Sequence, residues 1–248
     1  WCPMRLTNKI LKDSKKRKLH FSLLDPEDQK AEEAGKLAKI AEDMRSYAMM
    51  VGGSTLSSSE QVDETVKAIK EHSELPVILF PSGAKFLSKY ADAIFFMSLL
   101  NSRNLDFVIR EHVQGSPFIK QVGLEPIPMG YLIVEPGMTA GKKGEVDLVK
   151  RNDVKTAVGY GLSTQFLGMK FFYLEAGSGA PNPVSNEMIA GVSKNIDIPL
   201  IVGGGIRDPK TAKEKVKAGA DIIVTGTAFE KEKNLEKTLR EIIKAIEE

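Results

Sequence analysis

Leu200-Ile-Val-Gly-Gly-Gly-Ile-Arg207, followed after a lysine-rich stretch by Ile222-Ile-Val-Thr-Gly-Thr-Ala228, reads as two successive strands, each running into a glycine turn. Gly203, Gly204 and Gly205 carry no side chains, so their backbone N–H groups can close on an anion, and Gly226 with Thr227 can supply the facing half of the cup. A plain strand-to-helix turn needs one glycine, not three in a row. Two such turns near the end of a chain of 248 residues match the phosphate site after strands 7 and 8 of a (β/α)8 TIM barrel.

Length and composition agree. A barrel typically takes about 250 residues, so one domain over residues 1–248 is expected. Hydrophobic residues make up 42% and charged residues 27%, and no apolar run reaches the roughly 18 residues of a membrane span. The first residues lack the apolar core of a signal peptide, so a cytoplasmic enzyme is expected. Cys2 stands alone, and His20, His72 and His112 lack zinc-site spacing. A net charge of +2 gives little field for nucleic acid.

Upstream, the pattern alternates strand and helix. The basic run Asn8–Lys18 reads as a solvated face, with weak attraction to an anionic membrane surface as the other use. Leu19-His-Phe-Ser-Leu-Leu24 is expected as strand 1, ending at Asp25-Pro26-Glu27-Asp28. Asp25 fits two roles equally: a helix N-cap followed by proline, or a carboxylate on the catalytic face of the barrel. Strand 2 ends in Gly52, Gly53, Ser54 and Thr55; strands 3 and 4 are Pro76–Phe80 and Ala93–Met97, whose unbroken apolar character suits burial on both faces. Phe95, Phe96 and Met97 are expected mainly in the core, with a hydrophobic groove as the alternative. A helix is expected from Arg103 to about Val113, strand 5 over Pro128–Val134, and a glycine-rich loop with lid character over Glu135–Gly141. In strand 6, Lys170-Phe-Phe-Tyr-Leu-Glu175, Tyr173 and Glu175 share one face and point to the barrel mouth if Leu174 packs outward. The last helix carries Leu235, Leu239, Ile242, Ile243 and Ile246 as one stripe.

Taken together, His20-Phe-Ser-Leu-Leu-Asp-Pro26, Val51-Gly-Gly-Ser54, Tyr173-Leu-Glu-Ala-Gly-Ser-Gly179, Ile201-Val-Gly-Gly-Gly-Ile-Arg207 and Val224-Thr-Gly-Thr227 resemble the geranylgeranylglyceryl phosphate synthase family over nearly the whole chain. The Tyr173–Gly179 string is the specific part, since the phosphate turns occur in many barrels. The resemblance implies a prenyltransferase joining sn-glycerol 1-phosphate to geranylgeranyl diphosphate, with magnesium as cofactor. It places the metal at Asp25 and Ser54, and the glycerol phosphate at Tyr173, Leu174, Glu175, Ala176, Gly177, Ser178, Gly179, Gly204, Gly205, Gly226 and Thr227. Glu175, with Tyr173 beside it, is the candidate to orient the glycerol hydroxyl and take its proton. One branch of the family carries a lysine two residues before the strand-1 aspartate; Leu23 stands there, so the chain resembles the other branch. Rival readings are a bacterial-type heptaprenylglyceryl phosphate synthase, a sugar-phosphate isomerase or lyase, and a non-catalytic phosphate-binding barrel. Helix faces of barrels often associate, so a homo-oligomer is expected.

Overall fold

The structure is a computed structural model and describes residues 5–53, 56, 58–226 and 235–248. Eight parallel strands close a barrel in sequence order: β1 (Leu19–Leu24), β2 (Ala48–Val51), β3 (Val77–Leu79), β4 (Ala93–Leu99), β5 (Glu125–Ile133), β6 (Phe171–Glu175), β7 (Leu200–Gly203) and β8 (Ile222–Gly226), with β8 paired back onto β1. The TIM-barrel fold expected above is therefore present.

Alternation along each strand sorts side chains into two environments. Phe21, Met50, Ile78, Phe95, Met129, Tyr173, Ile201 and Val224 fill the barrel interior as one buried cluster. Their sequence neighbours turn outward. Leu174, Val202 and Ile223 pack with α7 (Asn186–Ser193), α8 (Pro209–Ala218) and α9 (Leu235–Glu247) through Met188, Ile189, Val192, Ala212 and Ile242. Met49, Val51, Leu79 and Ile94 pack with α2 (Ala31–Asp43) and α3 (Ser59–His72) through Leu37, Ala38, Val66 and Ile69. At about 25 cal/mol per Å² of apolar surface, these layers supply the main stabilisation of the barrel.

Three local expectations change, while the basic run, expected as a solvated face, keeps Lys9, Lys12, Lys15, Lys16 and Arg17 exposed. The basic run belongs to a helix, α1 (Arg5–Ser14), that lies across the end of the barrel where the strands begin. Ile10 is fully buried in the interior cluster, and the Glu125 carboxylate at the first residue of β5 accepts from the N–H groups of Leu6 and Thr7 at 2.9 and 2.8 Å. The lysines of this run are therefore remote from the mouth, where the strands end. Asp25 is not a helix cap: α2 starts only at Ala31 after Lys30, and residues 25–28 form a turn closed by Asp28 N–H onto Asp25 O at 3.0 Å.

The helix after β4 opens with a π turn (Asp106–Arg110) and runs as α4 (Glu111–Val122), past Val113 and through Pro117. Gly115 and Pro117 read locally as a stop, but buried Ile119 anchors the second half, and the Ser116 hydroxyl donates to His112 O at 2.6 Å. Finally, the expected loop Glu135–Gly141 contains a short helix, α5 (Met138–Lys143), and α6 (Val154–Phe166) follows. None of the described helices is long and apolar enough to cross a membrane.

Candidate functional site

The ends of β6, β7 and β8 build one rim of the mouth. Ala176 N–H donates to Gly203 O at 3.2 Å and Gly177 N–H donates to the Glu175 carboxylate at 2.6 Å, which folds the 175–177 turn over the β7 turn. Gly204 adopts φ +83°, and a Cβ there would collide with Glu175 Oε1, so only glycine gives both the backbone conformation and the close approach. Arg207 holds the far side of the 176–180 loop by donating to Gly179 O at 2.6 Å. Gly204 and Gly205, both at positive φ, thus bring the β7 turn close against the 175–180 loop.

Tyr173 and Glu175 do share a face, since Leu174 lies in the outer cluster between them. Both are buried, and the tyrosine hydroxyl donates to the carboxylate. Burial raises the Glu175 pKa above the ordinary carboxylate range, although the hydrogen bonds from Tyr173, Gly177 and Ala176 oppose it. A carboxyl with its pKa pushed upward is a better proton acceptor once ionised. Burial, then the nearby Glu175 charge, pushes the Tyr131 and Tyr173 hydroxyls far above their usual value, so both stay protonated as donors.

Sequence reasoning missed two neighbours of this pair. Tyr131 lies opposite Tyr173 in the β5–β6 register, with ring centroids 5.1 Å apart, and Phe80 packs on both rings at 5.4 and 5.8 Å. The alternation that placed Tyr173 inward also places Tyr131 inward, so that signal was present; the meeting of the rings depends on register between strands.

From this rim a cavity of about 230 Å³ runs away from the glycine turns. Asp25, Gly53, Glu175, Ser178 and Gly226 surround its mouth, while Ile94, Phe95, Phe96, Met97, Leu99 and Phe107 form its apolar wall. Phe95 thus belongs both to the core and to the groove. Gly115 and Ile119 of α4 face Leu87 across the cavity, and Glu111 ties that side by accepting the Ala84 N–H at 2.5 Å. The π turn fits this use, because Ser98 on β4 donates to Val108 O at 2.8 Å and Phe107 stays on the cavity wall.

Asp25 sits at the mouth across from Glu175. Burial raises its pKa to about 6 against the Glu27 N–H bond, and the charges of Asp28 and Glu27 push the same way. A Cβ on Gly53 would run into this carboxylate, so only glycine lets the β2 turn pass so close to it. A half-desolvated carboxylate with an acidic neighbour and open space suits a hard cation. No group of three or more His, Cys, Asp or Glu gathers to hold a metal among the described residues. Ser54 and Thr227, expected at the metal and at the phosphate, lie outside the described residues. The other expected positions, Asp25, Tyr173 to Gly179, Gly204, Gly205 and Gly226, meet at one rim.

The glycine turns after strands 7 and 8, the buried carboxylate beside them and the apolar groove beyond thus adjoin at one mouth of the barrel. A model of the PcrB family matches residues 11–246. The chain is 56% identical to geranylgeranylglyceryl phosphate synthase of Thermococcus sibiricus over 237 residues, covering 94% of this chain and 93% of the relative. It is 55% identical to that of Pyrococcus furiosus over 227 residues, covering 92% and 90%. The crystal structure of (S)-3-O-geranylgeranylglyceryl phosphate synthase from Thermoplasma acidophilum, in complex with sn-glycerol-1-phosphate, matches with a TM-score of 0.95 at 42% identity over 98% of each chain. The chain belongs to the PcrB family.

Proposed function

We propose that this chain transfers the geranylgeranyl group of geranylgeranyl diphosphate to the primary hydroxyl of sn-glycerol 1-phosphate, forming an ether and releasing diphosphate. One observation carries the reading: Glu175 lies buried between a glycine cup and an apolar-walled cavity, where an acceptor hydroxyl and an allylic carbon can meet.

The glycerol phosphate anchors its phosphate on the backbone of Gly204, Gly205 and Gly226, with Gly177 and Ser178 facing it, and its hydroxyls reach toward β6. Ionised Glu175 accepts hydrogen bonds from them and fixes one oxygen for attack. As that oxygen bonds to C1 of the prenyl chain, the C1–oxygen bond to diphosphate breaks with its electron pair on the leaving group, and the hydroxyl proton passes to Glu175. Tyr173 holds the carboxylate in place. The apolar wall from Ile94 to Phe107 holds the tail and excludes water. Asp25, with Ser54 following Gly53 after β2, would hold a magnesium ion, which would supply charge stabilisation to the departing diphosphate. In the same reading the chain is a single barrel domain acting in the cytoplasm as a homo-oligomer. Leu105, Ile109 and Val113, exposed along one side of the π turn and α4, support association.

The test offers labelled sn-glycerol 1-phosphate or sn-glycerol 3-phosphate with prenyl diphosphates of several lengths and magnesium, then extracts product into organic solvent. Organic-soluble label from glycerol 1-phosphate with the C20 donor is the expected result; preference for a C35 donor would reassign the chain to the heptaprenyl reaction, and no transfer with any donor would refute the proposal.

A further inference from the structure

The cavity poses an electrostatic problem: its described lining holds four carboxylates, Asp25, Asp28, Glu111 and Glu175, yet the proposed reaction brings a diphosphate into it. His112 offers no charge to offset them, since burial lowers its pKa. Among the described residues that line the cavity, Lys143 is the one lysine or arginine.

Its setting is built. Lys143 closes α5, which bridges the two halves of the site. At the start of α5, Gly137 N–H donates to Ala176 O at 3.0 Å, beside the Glu175–Gly177 turn. At its end, Ser102 Oγ donates to Gly144 O at 2.6 Å, and Gly144 packs against Leu99 on the groove wall. Ala140, Lys143 and Gly144 all face the cavity. The Lys143 ammonium forms no ion pair or hydrogen bond among the described residues, although Asp106, Glu145 and Asp147 of the surrounding segments all find partners. A lysine on a pinned helix, uncommitted to any carboxylate, retains its charge for a ligand.

We infer that Lys143 is a leaving-group residue whose ammonium contacts the diphosphate of the prenyl donor. This rests on reading the cavity as a prenyl-transfer site. With the acceptor on the Glu175 side and the tail on the Leu99–Phe107 wall, α5 lies over the space between them, where the breaking carbon–oxygen bond falls. The electron pair of that bond passes to the diphosphate, and a cation nearby stabilises it most as charge accumulates.

Wild type, Lys143→Met and Lys143→Arg are compared in two measurements: calorimetric titration with inorganic diphosphate in magnesium, and steady-state kinetics with both substrates varied. Lys143→Met is expected to weaken diphosphate binding about tenfold, the order for one charge-assisted contact, and to raise KM for the prenyl donor alike. KM for glycerol 1-phosphate should stay within about twofold, and Lys143→Arg should recover most of the loss. Diphosphate affinity unchanged in Lys143→Met would overturn the inference, as would equal rises in both KM values with a lowered Tm. A wild type that binds diphosphate through Lys143 but forms no ether would sink the prenyl-transfer reading and leave the anion contact standing.

Discussion

Replacing Glu175 with glutamine separates chemistry from stability, because the structure sends the two in opposite directions. The amide keeps the side-chain length and one oxygen to accept the Gly177 N–H that now lies 2.6 Å away, while the Tyr173 hydroxyl can still donate to it. What disappears is the charge, and with it the base. Loss of a positioned general base costs roughly 10²–10⁴-fold in rate, so kcat should fall within that range while KM for the prenyl donor, held on the far wall, stays near wild type. The folded-state pKa of Glu175 is raised by burial, so its contribution to stability is fully present below the unfolded value and is lost as pH rises through the folded value. At pH 7 the native enzyme therefore holds a carboxylate that folding disfavours, and the glutamine variant should melt at the same or a higher temperature. The acid limb of the kcat/KM profile, which Glu175 protonation produces in wild type at a pH above that of an ordinary glutamate, should vanish too. Steady-state kinetics against pH with parallel melts reads all three. Activity within about threefold of wild type, or a variant that melts well below it, would refute the assignment.

Gly226→Ala should raise KM for glycerol phosphate with little change in Tm, because a Cβ there meets none of the described residues within 4 Å and Gly226 lines the cavity; unchanged KM would move the phosphate elsewhere. Gly204→Ala should instead lose about 1–3 kcal/mol of stability as well as activity, the cost of a side chain at φ +83° against Glu175, which denaturant melts would register. Asp25→Asn should preserve the Glu27 N–H contact at 3.1 Å and the fold yet abolish the response to magnesium, measured as turnover across a magnesium titration after chelation; a full response would remove Asp25 from the metal. His20, bonded to Ser46 and Thr225 at 2.9 and 2.8 Å, has its pKa lowered to about 3 by burial, so its contribution is present above about 6.5 and is lost as pH falls toward 3. Tm should therefore drop through that window in wild type, and less steeply in His20→Gln.

The strands were legible because parallel barrel strands are buried on both faces and so appear as apolar runs such as Ala93–Met97 and Phe171–Leu174. The phosphate turns were legible because Gly203 to Gly205 has few other uses. The Tyr173–Glu175 pair followed from the two-residue period alone. What stayed hidden depends on contacts between segments distant in sequence. Asp25 next to Pro26 looks like a helix start in isolation, and only the folded chain delays α2 to Ala31. Pro117 looks like a stop until Ile119 finds its place in the core. Tyr131 and Phe80 become part of the site through strand register, and Lys143 through the placement of α5, neither of which a local pattern encodes.

The seat of α1 bears on the order in which the chain can fold. The N–H groups of Leu6 and Thr7 are held by Glu125, a partner 119 and 118 residues later, and Ile10 belongs to a core cluster drawn from β1 through β8. At synthesis rates of about 5–20 residues per second, roughly 6 to 24 s separate the emergence of this helix from that of its acceptor. Through that interval its apolar side has no native surface to cover, and closing a loop of this length adds its own entropic cost. This helix therefore docks only after β5 has emerged, and its contacts at the base of the barrel are expected to form after the rate-limiting step, so that weakening them speeds unfolding more than it slows folding.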